Sequence, residues 1–220
     1  MLANYKEKLG EIQDSIITIG DGLIKANKII VEAIETCDVK KFNEAKSNIK
    51  NISKKTNDID NNIVTTLALH APEAKDLRKM VSYLKITNEL LRATTNTRSF
   101  IKGFSDICKE VDINVIKDYA IPMQKSTVDA LKFTVAMINV DCVDEIQECF
   151  NKVLISESKT DDLYEMIETH VLNESKSKED FEIYHNMLSA LRKSEKIADR
   201  AMSIASLLLY ASVGGEIHQV

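Results

Sequence analysis

The sequence predicts an all-α protein built as two tandem three-helix bundles, six long helices in total. Three observations carry that reading. Only 6 Gly and 2 Pro occur in 220 residues, so long stretches lack the residues that punctuate turns. Aromatic residues amount to 5% and Trp is absent, which disfavours a β-sandwich. Apolar residues recur at three- and four-residue spacing over segments far longer than a strand. With 44% hydrophobic and 29% charged residues, a sizeable core fits beneath a well-solvated surface.

The first helix is expected over residues 3–36, with Leu9, Ile12, Ile16, Ile19, Leu23, Ile30 and Ile34 along one stripe. Gly20 and Gly22 interrupt it, each costing about 1 kcal/mol relative to Ala. A close helix contact or a tolerated defect explains them better than a hinge. Asp38 reads as the cap of a second helix reaching residue 70. Pro72 then breaks the chain, and a third helix covers 74–102, stopping at Gly103. The fourth spans 114–138, with Pro122 near its true start or at a kink. The fifth, opened by Asp141, spans 143–172. The sixth spans 178–212 and is closed by Gly214 and Gly215.

Three helices followed by three more suggest an internal duplication. Asp38 and Asp141 open corresponding helices, and one interval separates both Asp76 from Leu91 and Asp180 from Glu195. The boundary is placed between Gly103 and Asn114, which gives units 1–106 and 107–220.

Several functions lose support at this level. The net charge is -5, with lysines and acids mixed along the chain, so no basic block exists to track nucleic acid. The N-terminal MLANYKEKLGEIQD is charged where a signal peptide needs an apolar core. The most apolar segment, 204–213, falls short of the roughly 20 residues of a transmembrane helix. A cytoplasmic location without a transmembrane segment is expected. Cys37, Cys108, Cys142 and Cys149 form no CxxC and no zinc spacing, and they read as reduced thiols. No GxxxxGK[ST], GxGxxG or GxSxG occurs.

The chemistry concentrates in acids. Glu195 and Asp199 lie one helical turn apart, where like charges repel. Glu157 and Asp161 repeat the spacing on the preceding helix. Sequential helices pack as neighbours, so the two pairs can meet and form a hard oxygen site for Mg, Mn, Fe or Zn. The alternative is that both pairs simply face water. Glu182 and His185 form a single Glu-x-x-His, whereas a di-iron site needs two. His70, beside the Pro72 turn, reads as an exposed or helix-end histidine rather than a ligand, and His170 and His218 have no partner at metal spacing. Arg78 and Arg92 either attract phosphate or pair with Asp76 and Glu89 on their own helix.

Specific stretches add a resemblance. LHAPEAKDLR (69–78) and LKITNELLR (84–92) resemble the first half of the PhoU family. SEKIADRAMSIA (194–205), LLLYASVGGE (207–216) and ESKTDDLY (157–164) resemble its second half, over nearly the whole chain. The resemblance implies the same double-bundle fold and a cytoplasmic, non-enzymatic regulator of phosphate uptake. It implies as partners the ATPase and membrane complex of a Pst-type phosphate transporter and a PhoR-type sensor histidine kinase. A homodimer and a peripheral position at the inner membrane face belong to the same expectation. A role beside a sodium-coupled or Pit-type carrier is the alternative. A metal-dependent hydrolase or oxidase lacks a base or a second Glu-x-x-His.

The family also carries metal clusters on paired E(D)xxxD motifs, one per bundle. Matched residue by residue, Glu157, Asp161, Glu195 and Asp199 keep the motif in the second bundle, which implies bound Fe, Zn, Mn or Mg there. The first bundle departs from it. Thr56, Leu91 and Thr95 stand where acids belong, leaving Asp60 as the remnant of a first metal site, with Asp58 and Glu89 off the motif positions.

Overall fold

Apolar stripes of this length have to be buried against one another, and the helices do so around one continuous core. The computed structural model describes residues 2–174 and 177–215, so His218 lies outside the described residues. Among the described residues the chain is helical with no strand. Helix α1 (Leu2–Thr36) runs unbroken through both glycines. Its stripe from Ile12 to Ile34 is buried, and Leu9 is partly buried against it.

Both glycines mark close helix contacts. A Cβ on Gly20 would come within 2.5 Å of a Val135 methyl, and one on Gly22 within 2.9 Å of the Asn48 carbonyl oxygen. The segment behind Gly22 also corrects the expected second helix, because 38–70 is two helices. α2 (Val39–Asn48) is capped by Asp38, whose carboxylate accepts from the Lys40 N–H at 2.8 Å. α3 (Ile52–His70) follows after Asn51, which takes the left-handed conformation at φ 58°. Asn tolerates that conformation better than most residues, so the break needs no Gly or Pro. It is fixed by tertiary contacts: Ile49 and Ile52 are buried, and the Arg98 guanidinium donates to the Ile49 carbonyl at 2.6 Å.

α4 (Ala74–Ile107) passes through Gly103, the expected stop. There the missing side chain admits Ala190, whose Cβ lies 3.3 Å from where a Gly103 Cβ would stand. The short turn α5 (Ile113–Val115) leads into a π-helical turn, Ile116–Ala120, and then α6 (Ile121–Ala136), with Pro122 in its first turn. A 3-10 turn, Met137–Asn139, closes it. α7 (Val143–Glu174) opens at Cys142, whose carbonyl accepts from the Ile146 N–H at 3.0 Å, rather than at Asp141. α8 (Lys178–Val213) is capped by Ser177 and ends at Gly214, φ 79°.

Helices α1, α3 and α4 pack together, as do α6, α7 and α8, and α4 also lies along α8 while α1 lies along α6. A polar network is buried where these helices cross. The Gln124 amide donates to Asn27 Oδ1 at 2.7 Å, and Ser194 Oγ donates to Gln124 Oε1 at 2.7 Å. Thr127 and Ser194 hydroxyls lie 2.9 Å apart, and all four residues are fully buried. An apolar contact tolerates sliding, whereas a buried amide left unpaired costs about 1–3 kcal/mol, so the network pins one register of α1, α6 and α8.

The cysteines depart from the expected four free thiols. Cys37, just after α1, and Cys108, at the end of α4, form a disulfide across 71 residues with Cα atoms 5.6 Å apart. Cys142 and Cys149 are free. No local pattern could have revealed the pair, because two helix ends far apart in sequence bring it together.

Candidate metal centre

The helical spacing that places Glu157 and Asp161 on one face of α7 also places Glu195 and Asp199 on one face of α8. Where α7 and α8 pack, one carboxylate oxygen each from Glu157, Asp161 and Asp199 falls within 4.8 Å of the other two. Among the described residues no other trio of acids, histidines or cysteines comes together in this way. Glu157 is buried, Asp199 half-buried and Asp161 exposed, so the group opens to solvent on one side.

Glu195 is placed differently. It is buried at the same face but its carboxylate is taken by Arg192, with Lys196 Nζ 3.8 Å from its other oxygen. Arg192 in turn lies over the Tyr164 ring, 5.1 Å from its centroid. Lys196 also donates to Asp199 at 2.8 Å. The α8 acids therefore have partial counterions of their own, whereas Glu157 and Asp161 make no ion pair with a described residue; the Ser158 hydroxyl donates to Glu157 at 3.4 Å.

The electrostatics follow. Burial pushes the Glu157 carboxyl above the usual range, and the charges of Asp161 and Asp199 push it further. Asp161 is raised by burial and by Asp199, against the pull of Lys196 and Arg192. Glu195 is raised by burial, with Arg192 and Lys196 opposing. A set of hard oxygen donors that repel one another and lose solvation is one that a cation relieves. The donor set thus fits a hard divalent or trivalent ion.

The remaining candidates fall elsewhere. Asp60 has Thr87 for a partner, its carboxylate 2.6 Å from the hydroxyl. Thr56 and Thr95 donate to the carbonyls of Ser53 and Leu91 at 3.0 Å, and Leu91 packs against the core. Glu89 meets Arg200 of α8 at 3.0 Å and Arg92 at 3.5 Å. Arg78 makes no ion pair with Asp76 and instead stands beside Gly214. His70 lies edge-on to Tyr5, His185 stacks on Phe181, and His170 lies against Tyr119. The roles of Thr87, Arg192, Lys196 and Arg200 escape a reading by acid motif. Arg192 and Lys196 could have been found from their three-residue spacing to Glu195 and Asp199, whereas Arg200 reaches Glu89 across 111 residues and leaves no local signal.

Comparison with known proteins shows what the chain is similar to. The family model described as "PhoU domain" matches residues 16–99. A curated relative from Pseudomonas putida, the phosphate-specific transport system accessory protein PhoU homolog, is 23% identical over 98% of this chain and 83% of its own length. The chain carries a PhoU domain over residues 16–99 and is similar to PhoU proteins along nearly its whole length. Two crystal structures share its fold. PhoU from Pseudomonas aeruginosa has a TM-score of 0.81 at 19% identity, covering 96% of this chain and 100% of that one. The phosphate transport system regulatory protein PhoU from Streptococcus pneumoniae has a TM-score of 0.79 at 17% identity, covering 98% and 100%. The chain therefore has the all-α PhoU-like fold.

Proposed function

We propose that this PhoU-like chain is a regulator of phosphate transport and phosphate-starvation signalling, and that a metal ion held between α7 and α8 is part of it. The regulatory reading draws on the family and on what the relatives' names state. The observation that carries the metal reading is the convergence of Glu157, Asp161 and Asp199 within 4.8 Å. These three would hold the ion, of Fe, Zn, Mn or Mg type, with Glu195 as a further ligand on release from Arg192. The ion would supply positive charge to a strained acidic face and tie α7 to α8. Asp60, occupied by Thr87, would hold none.

The partners in this reading are a Pst-type transporter complex and a PhoR-type sensor kinase, repressed when phosphate is plentiful. The protein works without catalysis, in the cytoplasm, alone or as a homodimer at the inner membrane face. No helix of the described residues is long and apolar enough to cross a membrane. The units 1–106 and 107–220 serve as its two bundles, the first containing the matched 16–99 segment.

Two measurements test the reading. Protein purified without chelator or affinity metal should contain metal by elemental analysis, lost in Asp161→Ala with Asp199→Ala and kept in Asp60→Ala. Equal content in all three proteins overturns the site. Deleting the gene should derepress phosphate-scavenging genes in phosphate-rich medium. Unchanged expression together with unchanged phosphate uptake overturns the regulatory role.

A further inference from the structure

α7 carries a second acidic stretch, starting one residue beyond Asp161 of the metal centre. Asp162, Glu165, Met166, Thr169 and His170 follow at three- and four-residue spacing and so share one side of the helix. Together with Tyr119 they line an open groove of about 640 Å³. That lies within the ~300–1,000 Å³ typical of binding sites.

The groove depends on an irregularity in the backbone. Tyr119 is presented by the π-helical turn Ile116–Ala120, a departure from the α-helix that recurs at functional sites. Its ring lies 5.5 Å from that of His170, tilted by 34°. Met166 is 56% exposed. Asp162 and Glu165 are exposed and make no ion pair with a described residue, whereas Glu148, Glu195, Asp199 and Glu89 each hold a Lys or Arg.

The molecule contains the completed version of the same arrangement. At Tyr164, a guanidinium (Arg192) lies over a tyrosine ring while pairing with a buried carboxylate, Glu195. At Tyr119 the ring and two carboxylates are present and the guanidinium is missing. We propose that this groove docks an arginine side chain from an exposed segment of a partner protein. A guanidinium can lie flat on Tyr119 and direct its planar fork at Asp162 and Glu165, with Met166 covering its aliphatic stem. The groove is too open to enclose a free small molecule, but it suits a side chain whose own protein covers the rim. The inference is independent of metal at the neighbouring centre.

The test uses the full chain in chelator and a fluorescein-labelled decapeptide of alternating arginine and serine, read by fluorescence polarisation. The expected result is saturable binding, weakened at least tenfold in Asp162→Asn with Glu165→Gln, and unchanged in Asp161→Asn at the metal centre. Tyr119→Leu should weaken it as well, while Tyr119→Phe keeps the ring and the binding; thermal melts confirm that each variant is folded. No binding, equal affinity in wild type and double variant, or equal binding of a glutamate–serine peptide overturns the proposal. Loss of binding in Asp161→Asn alone would place the arginine at the metal centre and overturn it too. N-acetyl-arginine amide binding as tightly as the peptide would make the ligand a free organic cation, contrary to the proposal.

Discussion

Reducing the Cys37–Cys108 disulfide should lower stability by an amount set by the loop it closes. The bond spans 71 residues, joining the end of α1 to the end of α4. In the chain-entropy treatment, a loop of that length removes about 15 cal/mol/K from the unfolded ensemble, or about 4.4 kcal/mol at 25 °C. Unfolding entropy near 2.1 cal/mol/K per residue over 220 residues converts this into a drop in Tm of about 10 °C. Both sulfurs lie where α1 and α4 are already packed, so reduction should leave the native helices in place and act on the unfolded chain. The assay is calorimetry with and without a phosphine reductant, after peptide mapping under non-reducing conditions has confirmed the pair. Cys37→Ser should melt with the reduced protein and be insensitive to reductant. A confirmed disulfide whose reduction leaves Tm within 2 °C, a change of about 1 kcal/mol or less, would refute the loop-entropy reasoning.

Other expectations follow from the same packing. In metal-free protein the raised carboxyl groups of Glu157 and Glu195 bind protons more tightly when folded than when unfolded, where the ordinary value is 4.5. Their contribution must therefore destabilise increasingly as pH rises from about 4.5 through the raised values. Urea midpoints against pH should show a slope that flattens in Glu157→Gln; an unchanged slope would contradict the assignment. Gln124→Leu strips Asn27 Oδ1 of its donor and should cost about 1–3 kcal/mol by urea denaturation, far more than an exposed Gln→Leu change. Gly22→Ala should destabilise by about 1–3 kcal/mol, since its Cβ meets a backbone carbonyl that cannot rotate away, while Gly10→Ala has open space and should be neutral or stabilising. Saturating metal at a hundred times Kd should stabilise the wild type by about 2.7 kcal/mol and leave Asp161→Ala with Asp199→Ala unmoved, as read by thermal melts.

Periodicity and punctuation in the sequence were enough to establish the helical class, the positions of α1, α7 and α8 and the stop at Gly214, because these depend on contacts within one segment. The pairing of Glu157 with Asp161, and of Glu195 with Asp199, was legible for the same reason: a four-residue spacing fixes a shared face wherever the helix lies. Events with a partner elsewhere in the chain were not legible. The break at Asn51 is held by Arg98 and by buried Ile49 and Ile52, and Gly103 continues α4 because Ala190 of α8 fills the space above it. Cys37 found Cys108 across 71 residues, and Asp60 found Thr87 rather than a second acid. The sequence gives four acids equal standing at the motif positions. Only the packing of α7 on α8 separated them, drawing Glu157, Asp161 and Asp199 together while Arg192, one turn before Glu195 on the same helix, took the fourth. Local spacing determines which face a side chain shares. Which groups meet across two faces depends on the register of the helices, and here buried Asn27, Gln124 and Ser194 hold that register.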